Sequence, residues 1–395
     1  MMIGFHPGGP AHPASAQPRR THRPRAFLLG LALSATLTVS NSIHAADLGS
    51  ALKELKAVAA EGKGNPTASA AWKRVAAADG RSLPILLAAM DGANDYSLNW
   101  IRSAIEAVVQ RETSQGRALP VDALLRFARD TKHHPRARHL AFELVSQQDK
   151  ALAQKQLPGF LNDPSPDLRR EAVAALIAQG VETVAKNKEA AIPIFQKALA
   201  SVRDADQVED LATRLKELGQ KVDLPRVFGW VTQWRLIGPF DNTAGAGFEK
   251  AYPPETSIDP NAEYDGKAGK VKWSDYTTKS DYGLVDFNTP YGAIKEVTGY
   301  AVAEFWSDTA RRVEIRLGCK DGWKVWANGK FLFGRDEYHR GVEIDQYRMP
   351  VDLQKGRNVI LVKCCQNEQK EDWTKEWEFQ LRVTDLSGNP IFSSR

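Results

Sequence analysis

The sequence is poor in the residue types on which most catalytic and metal-binding motifs depend. Its 395 residues include three cysteines and eight histidines. It contains no Cys-x-x-Cys, His-Glu-x-x-His or Gly-x-Ser-x-Gly motif, no phosphate-binding glycine loop and no dinucleotide fingerprint. Three cysteines cannot all pair within one chain, which excludes a closed disulfide framework. What remains is a protein that acts by binding, or an enzyme without a local signature.

Acidic residues are absent from the first 46 positions. Arg19, Arg20, Arg23 and Arg25 precede an apolar run over 26–39, and Ala45 offers a small residue for cleavage. The run of about 14 residues is shorter than the roughly 20 that span a bilayer. We therefore predict a signal peptide over 1–45 and export to the periplasm, the cell surface or the medium. An uncleaved anchor or tail is the alternative; after cleavage, no membrane-spanning segment is expected.

This leader carries most of the net charge. The whole chain has a net charge of +5, and the four arginines account for all but one of these charges. The remaining chain has no electrostatic reason to bind nucleic acid. Four histidines also precede position 46, and the others lack the spacing of a zinc motif; they are His133, His134, His139 and His339.

No cofactor is predicted. A structural calcium ion would need a carboxylate-rich loop. The aspartates in the turns of the second half are scattered instead, at Asp241, Asp259 and Asp265.

From about 47 to 218 the apolar residues follow a helical period. Leu98, Ile101 and Ile105, for example, fall on one helix face. The second helices of successive pairs are predicted to begin near Ser97, Pro135, Pro166 and Ala205, about 31 to 39 residues apart. Ser165 suits an N-cap and Pro166 the first helical position, where its missing N–H costs nothing.

The segment 163–176, Asp-Pro-Ser-Pro-Asp-Leu-Arg-Arg-Glu-Ala-Val-Ala-Ala-Leu, resembles the inter-helix turn and second helix of a HEAT repeat. The resemblance implies an α-solenoid of HEAT-like helix pairs over 46–220. Each pair would bury its apolar face only against its neighbours and leave an inner surface for protein partners.

The pattern changes after Leu218. Val313, Ile315 and Leu317 alternate with polar residues, and 359–364 is apolar on both faces, which predicts a central strand. Asn328-Gly329 provides the two residues that a type I′ hairpin turn requires. The order of turns and strands predicts an antiparallel β-sandwich.

Most of 228–393 carries a second resemblance, through segments such as 234–242 (Trp-Arg-Leu-Ile-Gly-Pro-Phe-Asp-Asn) and 321–330. These segments resemble a β-sandwich module of exported proteins from planctomycete-like bacteria. They resemble more distantly the jelly-roll sugar-binding domain of family 2 glycoside hydrolases. The resemblance implies a multidomain chain, α then β, with a jelly-roll or galactose-binding-like β-sandwich over 221–395.

The candidate ligand-binding residues lie in two polar loops and on one strand. The loop 334–341 offers Tyr338, His339 and Arg340 for hydroxyl groups or an acidic partner, although a plain solvated loop would have the same composition. Trp373 lies in a charged loop, where it either folds back onto the sheet as an anchor or binds a ligand. Trp326 is a candidate if its indole ring is partly exposed and stacks on a sugar. The alternative, which the preference of aromatic residues for cores favours, is that it packs on the second sheet or a covering loop.

Two further tryptophans are expected in the core. Trp323 shares its strand face with Val325, and Trp377 alternates with Phe379.

Cys364 and Cys365 are consecutive, so they point to opposite faces of their strand. At most one of them shares a face with Cys319. Either Cys319 forms a disulfide with Cys364 or Cys365, or all three remain buried thiols.

We therefore expect an exported, non-catalytic adaptor whose solenoid binds a protein partner and whose sandwich binds a carbohydrate. One alternative is a purely structural assembly scaffold. The other is an enzyme acting on polysaccharide, or its accessory subunit, with carboxylates such as Asp336, Glu337 or Glu343.

Overall fold

The computed structural model describes residues 45–395. Residues 1–44 are outside this range, and with them nearly all of the predicted signal peptide. The described chain forms one compact unit, with helices in its first half and antiparallel sheets in its second. We call residues 45–228 the helical region and residues 229–395 the sheet region. Within residues 45–395 no helix is both long and apolar enough to cross a membrane.

The helical region has eleven helices among the described residues. Their bounds are α1 Ala45–Lys56, α2 Asn65–Ala76, α3 Leu83–Ala88, α4 Asp95–Ser114, α5 Val121–Arg129, α6 Pro135–Gln148, α7 Lys150–Gln156, α8 Pro166–Val184, α9 Lys188–Ser201, α10 Ala205–Glu217 and α11 Leu224–Phe228. Helices α4, α6, α8 and α10 begin within two residues of the four starts predicted from the sequence.

Helices that follow one another in the chain pack against one another, α1 on α2, α5 on α6 and α8 on α9. A buried ion pair supports the turn before α8: Arg138, fully buried in α6, donates to both carboxylate oxygens of Asp163 at 2.8 and 2.6 Å. The Ser165 N–H donates to the same carboxylate, at 2.8 Å. Ser165 occupies the N-cap position, but its hydroxyl donates to the Pro135 carbonyl and caps nothing.

The sheet region has twelve strands. They are β1 Gln233–Asp241, β2 Glu263–Asp265, β3 Lys270–Lys272, β4 Ser274–Thr277, β5 Val285–Asp286, β6 Val297–Ser307, β7 Arg311–Cys319, β8 Gly322–Ala327, β9 Lys330–Arg335, β10 Tyr347–Leu353, β11 Gly356–Gln366 and β12 Glu378–Thr384. Two one-turn helices, α12 Pro253–Thr256 and α13 Asn288–Tyr291, lie in the connections.

All strand pairs are antiparallel. One sheet has the order β4-β1-β6-β11-β8-β9, a second has the order β10-β7-β12-β5, and β2 pairs with β3. The predicted hairpin is confirmed as β8–β9, whose turn residues Asn328 and Gly329 have φ of 50° and 75°. The predicted central strand is β11, which lies between β6 and β8.

The inward faces of the two larger sheets form one buried cluster, which includes Trp323 and Trp377, both fully buried as predicted. The outer face of the six-stranded sheet forms another. There the segment 242–273 packs over Tyr300 and Leu361, and Trp326 is only 7% exposed. Of the two alternatives for Trp326, packing against a covering segment is therefore the one that the structure has, and its indole ring is not exposed as a sugar-stacking surface would require.

Buried arginines join the two regions. Arg382 of β12 donates to the Phe228 carbonyl at 3.0 Å, and Arg169 of α8 donates to the Ser387 carbonyl at 2.8 Å. Arg203 donates to Asn389 Oδ1 at 2.7 Å. These polar contacts act together with Trp230 and Ile344, which pack into the buried apolar cluster of the helical region, to fix that region against the second sheet.

Candidate functional site

Several loops meet at one end of the six-stranded sheet. In its register Asp241 and Gln366 both lie opposite Val297, and Cys365 lies opposite Gly322. The chain therefore leaves β1 and β11, and enters β8, at the same end. The loop after β9 reaches the same place, as the contacts of Tyr338 show.

This end brings together three of the predicted site residues. The Tyr338 hydroxyl accepts a hydrogen bond from Asn242 Nδ2 at 3.1 Å. His339 Nε2 lies 3.0 Å from Asn367 Oδ1, and the Trp373 ring meets the His339 ring edge-on, with centroids 5.2 Å apart. We call this group, with Asp321, the loop cluster.

Asp321 is the member that sequence reasoning missed. The Asp321-Gly322 pair has the sequence of an ordinary turn before β8, yet Asp321 is 1% exposed. Neither of its carboxylate oxygens has a hydrogen-bond partner among the described residues. His339 Nδ1 lies 3.3 Å from Asp321 Oδ1 but forms no hydrogen bond with it. No sequence signal distinguishes a buried, unpartnered aspartate from the exposed aspartate of an ordinary Asp-Gly turn.

The hydrogen bonds around His339 indicate where its proton lies. Asn367 Oδ1 also accepts from the Gln369 N–H, at 3.2 Å, so it is an acceptor and His339 Nε2 must donate to it. In the neutral ring Nδ1 is then a lone pair that faces Asp321. A carboxylate at Asp321 would repel this lone pair, so the contact favours the protonated carboxyl.

The pKa shifts agree with this arrangement. Burial raises the pKa of Asp321 to about 7. The backbone N–H of His339, which approaches the carboxyl without forming a hydrogen bond of good geometry, and the charges of Lys295 and Lys320 oppose the rise only in part. Burial lowers the pKa of His339 and raises that of Tyr338. At neutral pH the cluster therefore holds a neutral imidazole, a protonated phenol and a carboxyl that is partly protonated. Such a set can both donate to and accept from hydroxyl groups.

Backbone strain and unpartnered atoms coincide here. His339 has φ of 59°, in the left-handed region that non-glycine residues rarely adopt. Asn242 is fully buried, and its Oδ1 has no partner among the described residues. Buried polar atoms without partners each cost about 1–3 kcal/mol, so a cluster of them requires an explanation such as a ligand.

Trp373 forms the open side of the cluster. It is 57% exposed, in a short 3-10 turn over Asp372–Thr374. Lys320 Nζ donates to its carbonyl at 2.6 Å, and the Thr374 hydroxyl is bonded within the loop. The loop is thus held in place while the indole ring stays accessible to a partner.

Two predicted residues do not belong to this cluster. The Arg340 side chain is 65% exposed and turns outward, with Nε 3.4 Å from Glu337 Oε2. Trp326 is buried four residues along β8 from Gly322, against Phe331. Its indole ring has no open face for a sugar.

The three carboxylates proposed for an enzyme have different surroundings. Burial raises the pKa of Asp336, which lies near Gly322 at the loop cluster. Glu337 is paired with Arg335 at 3.2 Å. Glu343 instead lines a cleft beside α10 together with Glu378.

The three cysteines are buried thiols. Cys319 Sγ lies 3.7 Å from Cys364 Sγ without a bond, whereas Cys365 turns to the other face and contacts Thr298 Oγ1 at 3.3 Å. The disulfide alternative is therefore not formed. Burial raises the pKa of Cys365 to about 12 and that of Cys364 well above its usual range, which makes both poor nucleophiles.

In residues 45–395 no three His, Cys, Asp or Glu side chains are grouped to hold a metal ion.

Comparisons with known proteins do not identify the chain. No protein-family model matches it, and no curated protein does. Among solved structures, the GH31 alpha-xylosidase Xac1773 from Xanthomonas citri is similar at 11% identity, over 40% of this chain and 16% of that enzyme, with a TM-score of 0.20. The match therefore spans about a sixth of the enzyme's length, and a TM-score this low supports no argument.

Proposed function

We propose that this protein is an exported, non-catalytic adaptor whose loop cluster binds a hydroxyl-rich ligand, with a carbohydrate as the leading candidate. In this proposal the sheet region is a jelly-roll-like β-sandwich and the helical region a HEAT-like solenoid that binds a protein partner. The observation that carries the proposal is the set of buried, unpartnered polar atoms at Asp321, Asn242 and His339, beside the exposed ring of Trp373.

A sugar would match both halves of this arrangement. Its hydroxyl groups donate and accept, as the polar atoms of the cluster require, and its C–H face can stack on an indole. The loop that carries Trp373 is held by Lys320 Nζ, which donates to the Trp373 carbonyl, and by the Thr374 hydroxyl, so little loop entropy would be lost on binding.

The helical region offers a separate surface. A groove of about 610 Å³ lies between α4 and α6. Its polar wall includes Arg102, which pairs with Glu106 at 2.8 Å and lies 3.5 Å from Glu143. If this groove holds a protein partner, the two sites on one chain would tether that partner to a glycan surface, and each interaction would raise the effective concentration of the other.

A glycan-array screen of the full chain tests the carbohydrate proposal. Specific binding that weakens at least tenfold in Trp373→Ala, and also weakens in Tyr338→Phe, would support it. Tyr96→Ala is the matched control, because Tyr96 is 54% exposed on the distant α4. No binding to any glycan, from protein shown to be folded, would count against the carbohydrate site and favour the scaffold.

One observation favours the enzyme as a second candidate. A general acid for glycoside cleavage needs a raised pKa, and Asp321 has one near 7. Release of reducing sugar from a bound polysaccharide, abolished in Asp321→Asn, would establish the enzyme. Binding without any release would retain the adaptor.

A further inference from the structure

An open cleft of about 650 Å³ lies where α10 faces the sheet region. Its walls come from the start of α10, from the loop 342–344 and from β12. The lining includes five carboxylates and no lysine or arginine; these are Asp204, Asp206, Glu209, Glu343 and Glu378. Nothing in the loop cluster or its proposed ligand explains this cleft.

Most of this negative charge is uncompensated. Arg170 pairs with Asp206 at 2.5 Å and lies 3.6 Å from Asp204. Glu209, Glu343 and Glu378 form no ion pair within the described part of the chain. A cation entering the cleft would therefore meet three carboxyl groups without a counter-ion, of which Glu378 is only partly ionised at neutral pH because its pKa is raised to about 7.

A second, independent feature of the cleft is Gln380 on β12. It is 2% exposed, and its Oε1 has no hydrogen-bond partner among residues 45–395. Gln380 lines the same cleft as Glu378, which precedes it by two residues and so shares its strand face. A buried amide oxygen without a donor is costly, and a ligand N–H in the cleft would satisfy it.

The rest of the lining is apolar and aromatic. Leu284, Val342 and Ile344 contribute hydrocarbon surface, and Tyr282, 37% exposed, contributes a ring. Aromatic faces attract organic cations, and hydrocarbon walls bury their methylene stems. A bare metal ion would use neither. Within the described residues no three acidic side chains are placed to ligate one.

We propose that this cleft binds a flexible organic polycation, in which ammonium or guanidinium groups are carried on methylene stems. A free polyamine and a lysine- or arginine-rich peptide segment share this chemistry. The carboxylates would bind the charged groups, Gln380 Oε1 would accept a hydrogen bond from one of them, and the apolar wall would contact the stems.

The raised pKa of Glu378 indicates that its carboxyl lacks a paired positive charge. Burial raises its pKa to about 7, with Asp286 and Glu376 adding to the rise and Lys320 opposing it. A bound ammonium group would supply the positive charge that this carboxyl lacks.

Isothermal titration of the full chain with spermine, and separately with a tetralysine peptide, at low ionic strength tests the proposal. We expect binding of at least one probe to weaken tenfold or more in the double variant Glu343→Gln/Glu378→Gln. Glu209→Gln, on the exposed helical wall, should weaken it about threefold and serves as the second test if the double variant does not fold. The control Glu189→Gln/Glu263→Gln removes the same charge from exposed sites elsewhere and should leave affinity within twofold.

The relative affinities of the two probes distinguish a free polyamine from a peptide segment. Tighter binding of spermine indicates a free polyamine, and tighter binding of tetralysine indicates a peptide segment. The proposal is overturned if neither probe binds, or if the control variant Glu189→Gln/Glu263→Gln weakens binding as much as the cleft variants do. It is also overturned if calcium binds more tightly than both probes and displaces them. Trp373→Ala should leave cation binding unchanged, so this test and the glycan test fail independently.

Discussion

Lys363 Nζ lies 2.8 Å from Glu255 Oε1, and the lysine side chain is fully buried beneath the segment that covers the six-stranded sheet. The ammonium group also donates to the carbonyls of Phe248 and Lys250, each at 2.9 Å, so all three of its donors are used. The Tyr300 hydroxyl donates to the same carboxylate. This network attaches the segment 242–273 to β11. The attached segment covers the outer face of the six-stranded sheet and excludes solvent from it.

Replacing this lysine should therefore destabilise the protein. We expect Lys363→Met to lower the free energy of unfolding by about 3–5 kcal/mol, because Glu255 is left as a largely buried charge without its counter-ion. Urea denaturation measures the change. Lys324→Met is the matched control, since Lys324 lies opposite Lys363 in the register but pairs with the exposed Glu249, and should cost under about 1 kcal/mol. Equal losses in the two variants would refute the role of the buried pair.

Two helical glycines should respond in opposite directions to alanine. A Cβ on Gly180 of α8 would lie 2.4 Å from Cε1 of Phe195, whereas a Cβ on Gly49 of α1 would meet nothing within 4 Å. Alanine is favoured over glycine in helices by roughly 1 kcal/mol. We expect Gly49→Ala to stabilise by about 0.5–1 kcal/mol and Gly180→Ala to destabilise by about 1–3 kcal/mol through overpacking against a buried ring. Thermal unfolding followed by circular dichroism shows both signs; stabilisation by Gly180→Ala would contradict the packing described for α8 and α9.

Asp321 should make stability fall as pH rises. Its pKa is about 7 in the folded protein and near 3.9 in an unfolded chain, so between about pH 4 and 7 only the folded state holds the proton. Stability then decreases by up to roughly 1.4 kcal/mol per pH unit in that window and levels off above it. Asp321→Asn removes this slope.

The comparison of Asp321→Asn with the unchanged protein should thus show a difference in unfolding free energy that is smallest near pH 4 and grows to a plateau above pH 7. The pKa of His339 is lowered, so its own contribution has the opposite sign: stability is lost as pH falls through about 6.5. Because His339 is present in both proteins, its contribution largely cancels in the difference. A difference independent of pH would show that the Asp321 carboxyl is ionised throughout.

Arg382 should couple the unfolding of the two regions. It is 2% exposed, donates to Asp345 Oδ1 at 2.7 Å and reaches across to the Phe228 carbonyl. We expect Arg382→Met to cost about 3–5 kcal/mol and to separate the unfolding curves seen by helical circular dichroism and by tryptophan fluorescence. Arg312→Met, which breaks an exposed pair with Asp352, should leave one shared transition. Coincident curves in Arg382→Met would mean that other contacts suffice to join the regions.

The features that sequence reasoning placed correctly are local ones. The hairpin at Asn328-Gly329 follows from the left-handed backbone that both turn residues adopt, and the helix beginning at Pro166 follows from the fixed φ of proline. The burial of Trp323 follows from alternation along one strand. In each case the deciding interactions lie within a few residues of one another.

The errors and omissions concern contacts between distant segments. Alternation showed that Trp326 faces away from Trp323, but whether that face is exposed depends on residues 242–273, which lie at least fifty positions earlier. Asp321 has the sequence context of an ordinary turn, and only the loops that carry His339 and Asn367 remove its carboxyl from water. The acidic cleft likewise exists only because α10 packs beside β12.

The sequence by itself thus determined the helical first half, the strands of the second half, their main turns and the polar loops that supply Tyr338, His339 and Trp373. Hydrophobic periodicity and turn-forming residues act over short stretches of chain, so helices, strands and turns can be predicted from one sequence. The tertiary structure alone decided which loops meet, which strand faces are covered and which carboxyls lose their solvent. Those outcomes depend on packing between segments far apart in the chain, and desolvation there sets both the pKa of Asp321 and the charge of the cleft around Glu378.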